Sequence, residues 1–124
     1  MGDLISDALS KVMNAEKSRQ NQVVIKRTSK LLIKVLEIIQ QNGYLKSFQE
    51  EGGELIIELN HKINKISSIK PRFPCPLNEI EVYEQRFLPA SNFGLIILTT
   101  PEGLLTHQEA KEKNIGGALI AYCY

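Results

Sequence analysis

The sequence predicts an α+β protein in two small lobes, an N-terminal α-β-α-β-β unit and a C-terminal mixed small β-sheet with short helices. Three observations carry this reading. Leu4, Ile5, Ala8, Leu9, Val12 and Met13 repeat at helical spacing, as do Leu31, Leu32, Val35, Leu36, Ile38 and Ile39. Residues 44–50 and 54–59 flank Gly52-Gly53, the signal of a tight hairpin. Two later apolar runs, 93–99 and 118–124, enclose a short polar helix. The lobes are assigned to residues 1–61 and 62–124.

Taken in order, residues 3–15 form an amphipathic helix with Asp3 as its N-cap. The polar segment 14–22 has no period and reads as a loop, and Val23-Val24-Ile25 is a short β-branched strand. Thr28 or Ser29 caps the next helix, and Gly43 stands where a left-handed residue ends it. Residues 63–69 read as a strand or linker, and Pro71, Pro74 and Pro76 interrupt any regular element. Asn78 is placed as the cap of a short helix carrying Ile80, Tyr83, Phe87 and Leu88, closed by Pro89. Thr106 and Glu109 have the spacing of a capping box. Gly116-Gly117 ends that helix before the last strand.

Composition bounds the function. With 124 residues, an ordinary apolar fraction and no run of the ~20 apolar residues that a membrane span needs, the chain reads as globular, with no membrane partner. Cys75 and Cys123 have neither metal-ligand spacing nor the density of a disulfide scaffold, so they read as reduced thiols in a cytoplasmic protein. His61 and His107 lack close-spaced partners for a metal site, and no nucleophile, base and orienting group are visible together. No cofactor, metal or small-molecule substrate is expected, nor an enzymatic activity.

The formal charge is only +1, but it is unevenly spread. Residues 1–46 hold eight Lys/Arg against four Asp/Glu, and residues 47–124 hold seven against ten. Within 11–34 stand Lys11, Lys17, Arg19, Lys26, Arg27, Lys30 and Lys34 against Glu16 alone. A second basic stretch, Lys62, Lys65, Lys70 and Arg72, contains no acid. Such stretches are ordinarily solvated faces; two of them beside two acidic ones suggest a surface with one side on phosphate. Ser29-Lys30 at a helix start offers backbone amides, dipole and charge to an anion. At the C-terminal end, Thr99 and Thr100 offer hydroxyls, and Gly103, Gly116 and Gly117 offer bare backbone. Those glycines serve turn geometry through a positive torsion, close approach of a ribose, or both.

The order of these pieces resembles a known family. Asp3-Leu-Ile-Ser-Asp7-Ala-Leu with Asn14-Ala15-Glu16, Thr28-Ser29-Lys30, Lys70-Pro71-Arg72-Phe73, Leu88-Pro89-Ala90-Ser91-Asn92-Phe93-Gly94 and the C-terminal segment together resemble the universal small-subunit ribosomal protein family S-eight, archaeal and eukaryotic branch. The resemblance implies a structural protein that binds the central domain of small-subunit ribosomal RNA beside neighbouring ribosomal proteins. Its implied RNA-binding residues are Asn14, Lys17, Arg19, Lys26, Ser29, Lys30, Lys62, Lys65, Arg72, Thr99, Thr100, Gly103, Gly116 and Gly117. The chain departs from the family at Pro101, where a serine is common, and at Glu102, where a neutral or basic residue is common. Gly116 is expected to accept a larger side chain without loss of fold. The acidic hairpin at Glu50, Glu51 and Glu54 is expected to face away from RNA. A protein–protein adaptor using that hairpin, without RNA, is the alternative; a thiol enzyme built on Cys123 is a third reading.

Overall fold

A computed structural model describes residues 4–69, 74–90 and 93–124. The expected N-cap Asp3, and Lys70, Arg72, Ser91 and Asn92, lie outside the described residues. The chain divides into two compact units, Met1–Ser67 and Ser68–Tyr124. The division falls after Ser67, so Lys62 and Lys65 belong to the first unit. Residues 63–66 stay with it because Ile63 and Ile66 are buried and the Ile66 N–H donates to Met13 Sδ at 3.4 Å.

In the first unit, α1 (Leu4–Lys17) and α2 (Lys30–Gln41) pack on a three-stranded antiparallel sheet of order β1-β3-β2. The strands are β1 (Gln22–Ile25), β2 (Leu45–Glu51) and β3 (Glu54–Leu59). Helical spacing puts Ile5, Leu9 and Val12 of α1, and Leu32, Val35, Leu36 and Ile39 of α2, on faces that are almost fully buried. Alternation along β3 buries Leu55, Ile57 and Leu59 against them. Gly52 and Gly53, both at positive φ (58° and 82°), close β2 onto β3 as a two-residue turn with Glu51 opposite Glu54. Helix α2 ends as expected: Gly43 is left-handed, its N–H donates to Gln40 O at 2.9 Å, and Tyr44 N–H donates to Ile39 O at 3.1 Å.

The second unit is built on an antiparallel ribbon of β6 (Leu95–Thr100), β7 (Gly103–Thr106) and β8 (Gly117–Cys123), with β8 paired to β6 and β6 to β7. The chain enters this unit through β4 (Ile66–Ser68), Ile69 N–H donates to Ile120 O of β8 at 2.8 Å, and β5 (Pro74–Cys75) pairs antiparallel with β8. Two helices, α3 (Ile80–Phe87) and α4 (His107–Lys113), complete the unit. Its core joins Ile69, Cys75, Ile80, Leu88, Ile96, Leu98, Ala110 and Leu119. Glu84 of α3 is buried and paired with Lys111 of α4, which compensates the cost of removing a carboxylate from water.

Two sequence expectations change here. Asn78 does not cap α3: it lies inside a 3-10 turn, Leu77–Glu79, that leads straight into the helix without a side-chain cap. Gly116-Gly117 does not end α4: Asn114 takes the left-handed position (φ 57°, ψ 44°), its short polar side chain tolerating that conformation. Neither glycine has a positive φ. They are glycine because backbone crowds them. A Cβ on Gly117 would stand 2.2 Å from Thr99 O, and one on Gly116 would stand 2.7 Å from Cys75 O. Gly117→Ala is therefore expected to cost about 3 kcal/mol by forcing β6 and β8 apart. Gly53→Ala, with open space and only the torsion to pay for, is expected to cost about 1 kcal/mol; urea unfolding of the two variants checks the order.

Candidate nucleic-acid interface

The first unit gathers its cations at the end of α1 and between β1 and α2. Helix α1 runs through Asn14, expected in a loop, to Lys17, and then reverses. Ser18 N–H donates to Asn14 O (3.0 Å), Arg19 N–H to Glu16 O (3.2 Å) and Gln20 N–H to Ala15 O (2.9 Å). This is the geometry of a left-handed helix stop, with Arg19 at φ 59° where glycine is preferred. Lys17 and Arg19 line a cleft of about 330 Å³ together with Met13, Glu16, His61, Ile63 and Asn64. Lys62 and Lys65 are exposed in the same segment as the last of these. Lys26, with Lys11 and Arg27, lines a smaller hollow of about 210 Å³ beside α1.

At the start of α2, Ser29 caps the helix by accepting from the Leu32 N–H at 3.1 Å. Its hydroxyl oxygen is thus engaged in the cap, and Lys30 follows it, exposed. The first turn of α2 holds no acid, and Lys30 sets a positive charge against the positive end of the helix dipole. That arrangement is unfavourable alone and favourable once an anion is shared by both.

Pairing separates the cations into two sets. Lys46, Lys111 and Lys113 have carboxylate partners, on Glu58, Glu84 and Glu102. Among the described residues, Lys11, Lys17, Arg19, Lys26, Arg27, Lys30, Lys34, Lys62 and Lys65 have no carboxylate within the 4.0 Å of an ion pair. All nine lie in the first unit.

In the second unit, Thr99 and Thr100 end β6, and Pro101-Glu102 turns the chain into β7. Thr100 Oγ1 donates to Gly103 O at 2.8 Å and accepts from Glu102 N–H at 3.1 Å. Its one donor is thereby used, so Thr100 holds the turn and retains only acceptor capacity outward. Thr99, half-buried, makes no side-chain hydrogen bond among the described residues, which leaves its hydroxyl as the donor of this loop. Gly103, exposed at φ 105°, serves the turn. Gly116 and Gly117 are only half-exposed, and their lack of a side chain is fully explained by the neighbouring backbone. Gly116 therefore does not accept a larger side chain without loss of fold. Glu102, the unfamiliar charge in this loop, is partly neutralised by Lys113 at 3.7 Å.

The catalytic readings find no support in these positions. His107 is buried at the first position of α4, its Nδ1 accepting from the Ile96 N–H at 3.1 Å. The capping box at Thr106 and Glu109 is formed in both directions. Cys123 is buried, and Cys75 is a buried thiol that burial, then the charge of Glu79, pushes up to about 11. Among the described residues no group of three or more His, Cys, Asp or Glu is placed to hold a metal ion.

The residues that sequence reasoning missed are Glu16 and His61. Glu16 is buried beneath the cleft, and burial raises its pKa above 4.5 although His61 and Arg19 pull the other way. His61, like Arg19, is left-handed (φ 60°), and its Nε2 bonds Asn21 Oδ1 at 3.0 Å. The available signal was a lone acid among seven cations.

A family model described as Ribosomal protein S8 matches residues 3–124. The chain is 44% identical over 126 residues to the protein named Small ribosomal subunit protein uS8 of Nanoarchaeum equitans (strain Kin4-M), covering 98% of both chains.

The raised pKa of Glu16 has a measurable sign. The folded chain holds that proton more tightly than the unfolded one, so this contribution to stability is full below about 4.5 and is lost as pH rises through the raised value. Urea unfolding between pH ~4 and ~7 is expected to show this loss in the natural protein, and a flatter profile for Glu16→Gln.

Proposed function

The chain belongs to the ribosomal protein S8 family, and from that premise we propose how its residues meet RNA. It is a structural protein of the small ribosomal subunit, not an enzyme, and it binds ribosomal RNA in company with other proteins of the subunit. The finer reading places it on the central domain of that RNA, in the cytoplasm, supporting the fold of the domain during assembly.

In this reading both units bind RNA by different chemistry. The first supplies charge: Lys17, Arg19, Lys26, Lys30, Lys62 and Lys65 lie against phosphates, with Asn14 beside them and the amides at the start of α2 adding a dipole. The second supplies neutral contacts. Thr99 donates to a sugar or base edge, Thr100 accepts, and the exposed backbone at Gly103 allows close approach. Gly116 and Gly117 contribute by keeping β8 tight against its neighbours. The observation that carries the reading is the set of nine cations without carboxylate partners, all in one unit. Unpaired cations are individually ordinary on a solvated surface; nine of them in one unit are available to a polyanion, whose condensed counterions they would release from phosphate.

The adaptor reading rested on a total charge near zero. That total sums a unit with free cations and a unit whose described lysines are paired, so it does not weigh against RNA. The acidic turn at Glu50 and Glu51 is exposed and holds no cation within ion-pair distance among the described residues, which suits solvent or a basic protein neighbour.

Filter retention of small-subunit RNA across a salt series tests the proposal. The logarithm of affinity is expected to fall linearly with the logarithm of salt. Lys26→Gln with Lys30→Gln is expected to flatten that slope by about 1.5 without lowering the thermal melt. An unchanged slope would remove both residues from the interface.

A further inference from the structure

The cleft at the end of α1 contains a feature that phosphate binding does not use. Glu16 forms its floor. The side chain is only 4% exposed, and Oε1 has no hydrogen-bond partner. Oε2 faces His61 Nδ1 at 4.0 Å. Above this floor, the rim carries Lys17, Arg19 and the His61 ring.

This combination narrows the ligand. A metal ion or polyamine would meet the cationic rim. A bare phosphate would satisfy the rim but add a second anion beside Glu16. The ligand that suits both needs an anionic part for the rim and N–H donors for the floor. A nucleotide has both. The volume of about 330 Å³ lies at the lower end of small-molecule sites, ~300–1,000 Å³, which suits one nucleotide rather than a duplex.

We propose that this cleft takes a single guanine nucleotide turned out of the RNA, its N1–H and N2–H directed to the Glu16 carboxylate and its phosphate against Lys17 and Arg19. The inference rests on the RNA-binding reading above and adds a base-specific contact to it. Guanine fits because its two donors are adjacent. The N3–H of uracil is flanked by two carbonyl oxygens that would face the carboxylate. Oε1 lies sealed beneath the surface, so the base meets it after the Glu16 side chain swings up into the cleft. A buried oxygen without a partner is costly, so that swing removes a penalty as well as making a bond.

Nuclear magnetic resonance titration of the full chain with GMP and, separately, UMP tests this. GMP is expected to shift the backbone amides of Glu16, Lys17, Arg19, His61 and Asn64, and to bind roughly five-fold more tightly than UMP. Glu16→Gln inverts the floor. Its amide group replaces one acceptor oxygen by a donor, so the preference for GMP is expected to disappear. Equal binding of the two nucleotides by the natural chain, or no shifts at these amides, would overturn the proposal without recourse to any variant. Retention of small-subunit RNA by the same sample separates the two ideas. RNA bound without a GMP preference overturns the base contact alone; no salt-sensitive RNA binding overturns the RNA reading beneath it.

Discussion

The reversal at the end of α1 is the constraint on which the first unit depends. Three backbone bonds after Asn14, Ala15 and Glu16 stop the helix and force Arg19 into the left-handed region. The chain then reaches Asn21, whose carbonyl accepts from Leu59 N–H at 2.9 Å, so that β1 pairs with β3 in the right register. The Asn21 side chain meets His61, tying the segment after α1 to the segment after β3. One turn thus fixes the strand, the cleft and the cations around it. A non-glycine residue in that conformation is disfavoured by roughly 1 kcal/mol. Arginine therefore stands there against its backbone preference, which is reasonable if its charge is needed outside the fold.

Charge availability follows the same division. Where the fold needs a cation, it pairs it. Lys111 compensates the buried Glu84, and Lys113 meets the one acid in the β6–β7 turn. Where RNA is read as the partner, the described lysines and arginines have no carboxylate within ion-pair distance, and Lys30 opposes the dipole of its own helix. The hydroxyl loop shows a parallel economy: Thr100 is committed to the turn and Thr99 is not. Pro101 loses an amide hydrogen, but its fixed negative torsion suits the first central position of the turn, and Gly103 at φ 105° supplies the positive torsion that closes it.

Much of this was legible in the sequence. The helical stripes, the Gly52-Gly53 turn, the left-handed Gly43 and the Thr106–Glu109 capping box are local patterns whose physics lies within a few residues, and each is found where it reads. The misread positions depend on distant backbone. Gly116 and Gly117 look like helix-ending glycines, but Cys75 and Thr99, far along the chain, forbid a Cβ there. Asn114 looked unremarkable and ends the helix. Asn78 looked like a cap, yet Pro76 starts a 3-10 turn ahead of it. The basic stretches were visible as composition, but the lack of a carboxylate within ion-pair distance of their described cations was not. Glu16 and His61, 45 positions apart, become neighbours only once β3 has returned the chain to the end of α1.

Arg19→Gly tests most directly whether this turn trades backbone comfort for a charge that RNA needs. Unfolding by urea and retention of small-subunit RNA are measured on the same variant. The account predicts a stability gain of about 1 kcal/mol together with a several-fold loss of RNA affinity. A variant that is no more stable, or that binds RNA as tightly as the natural chain, would contradict it.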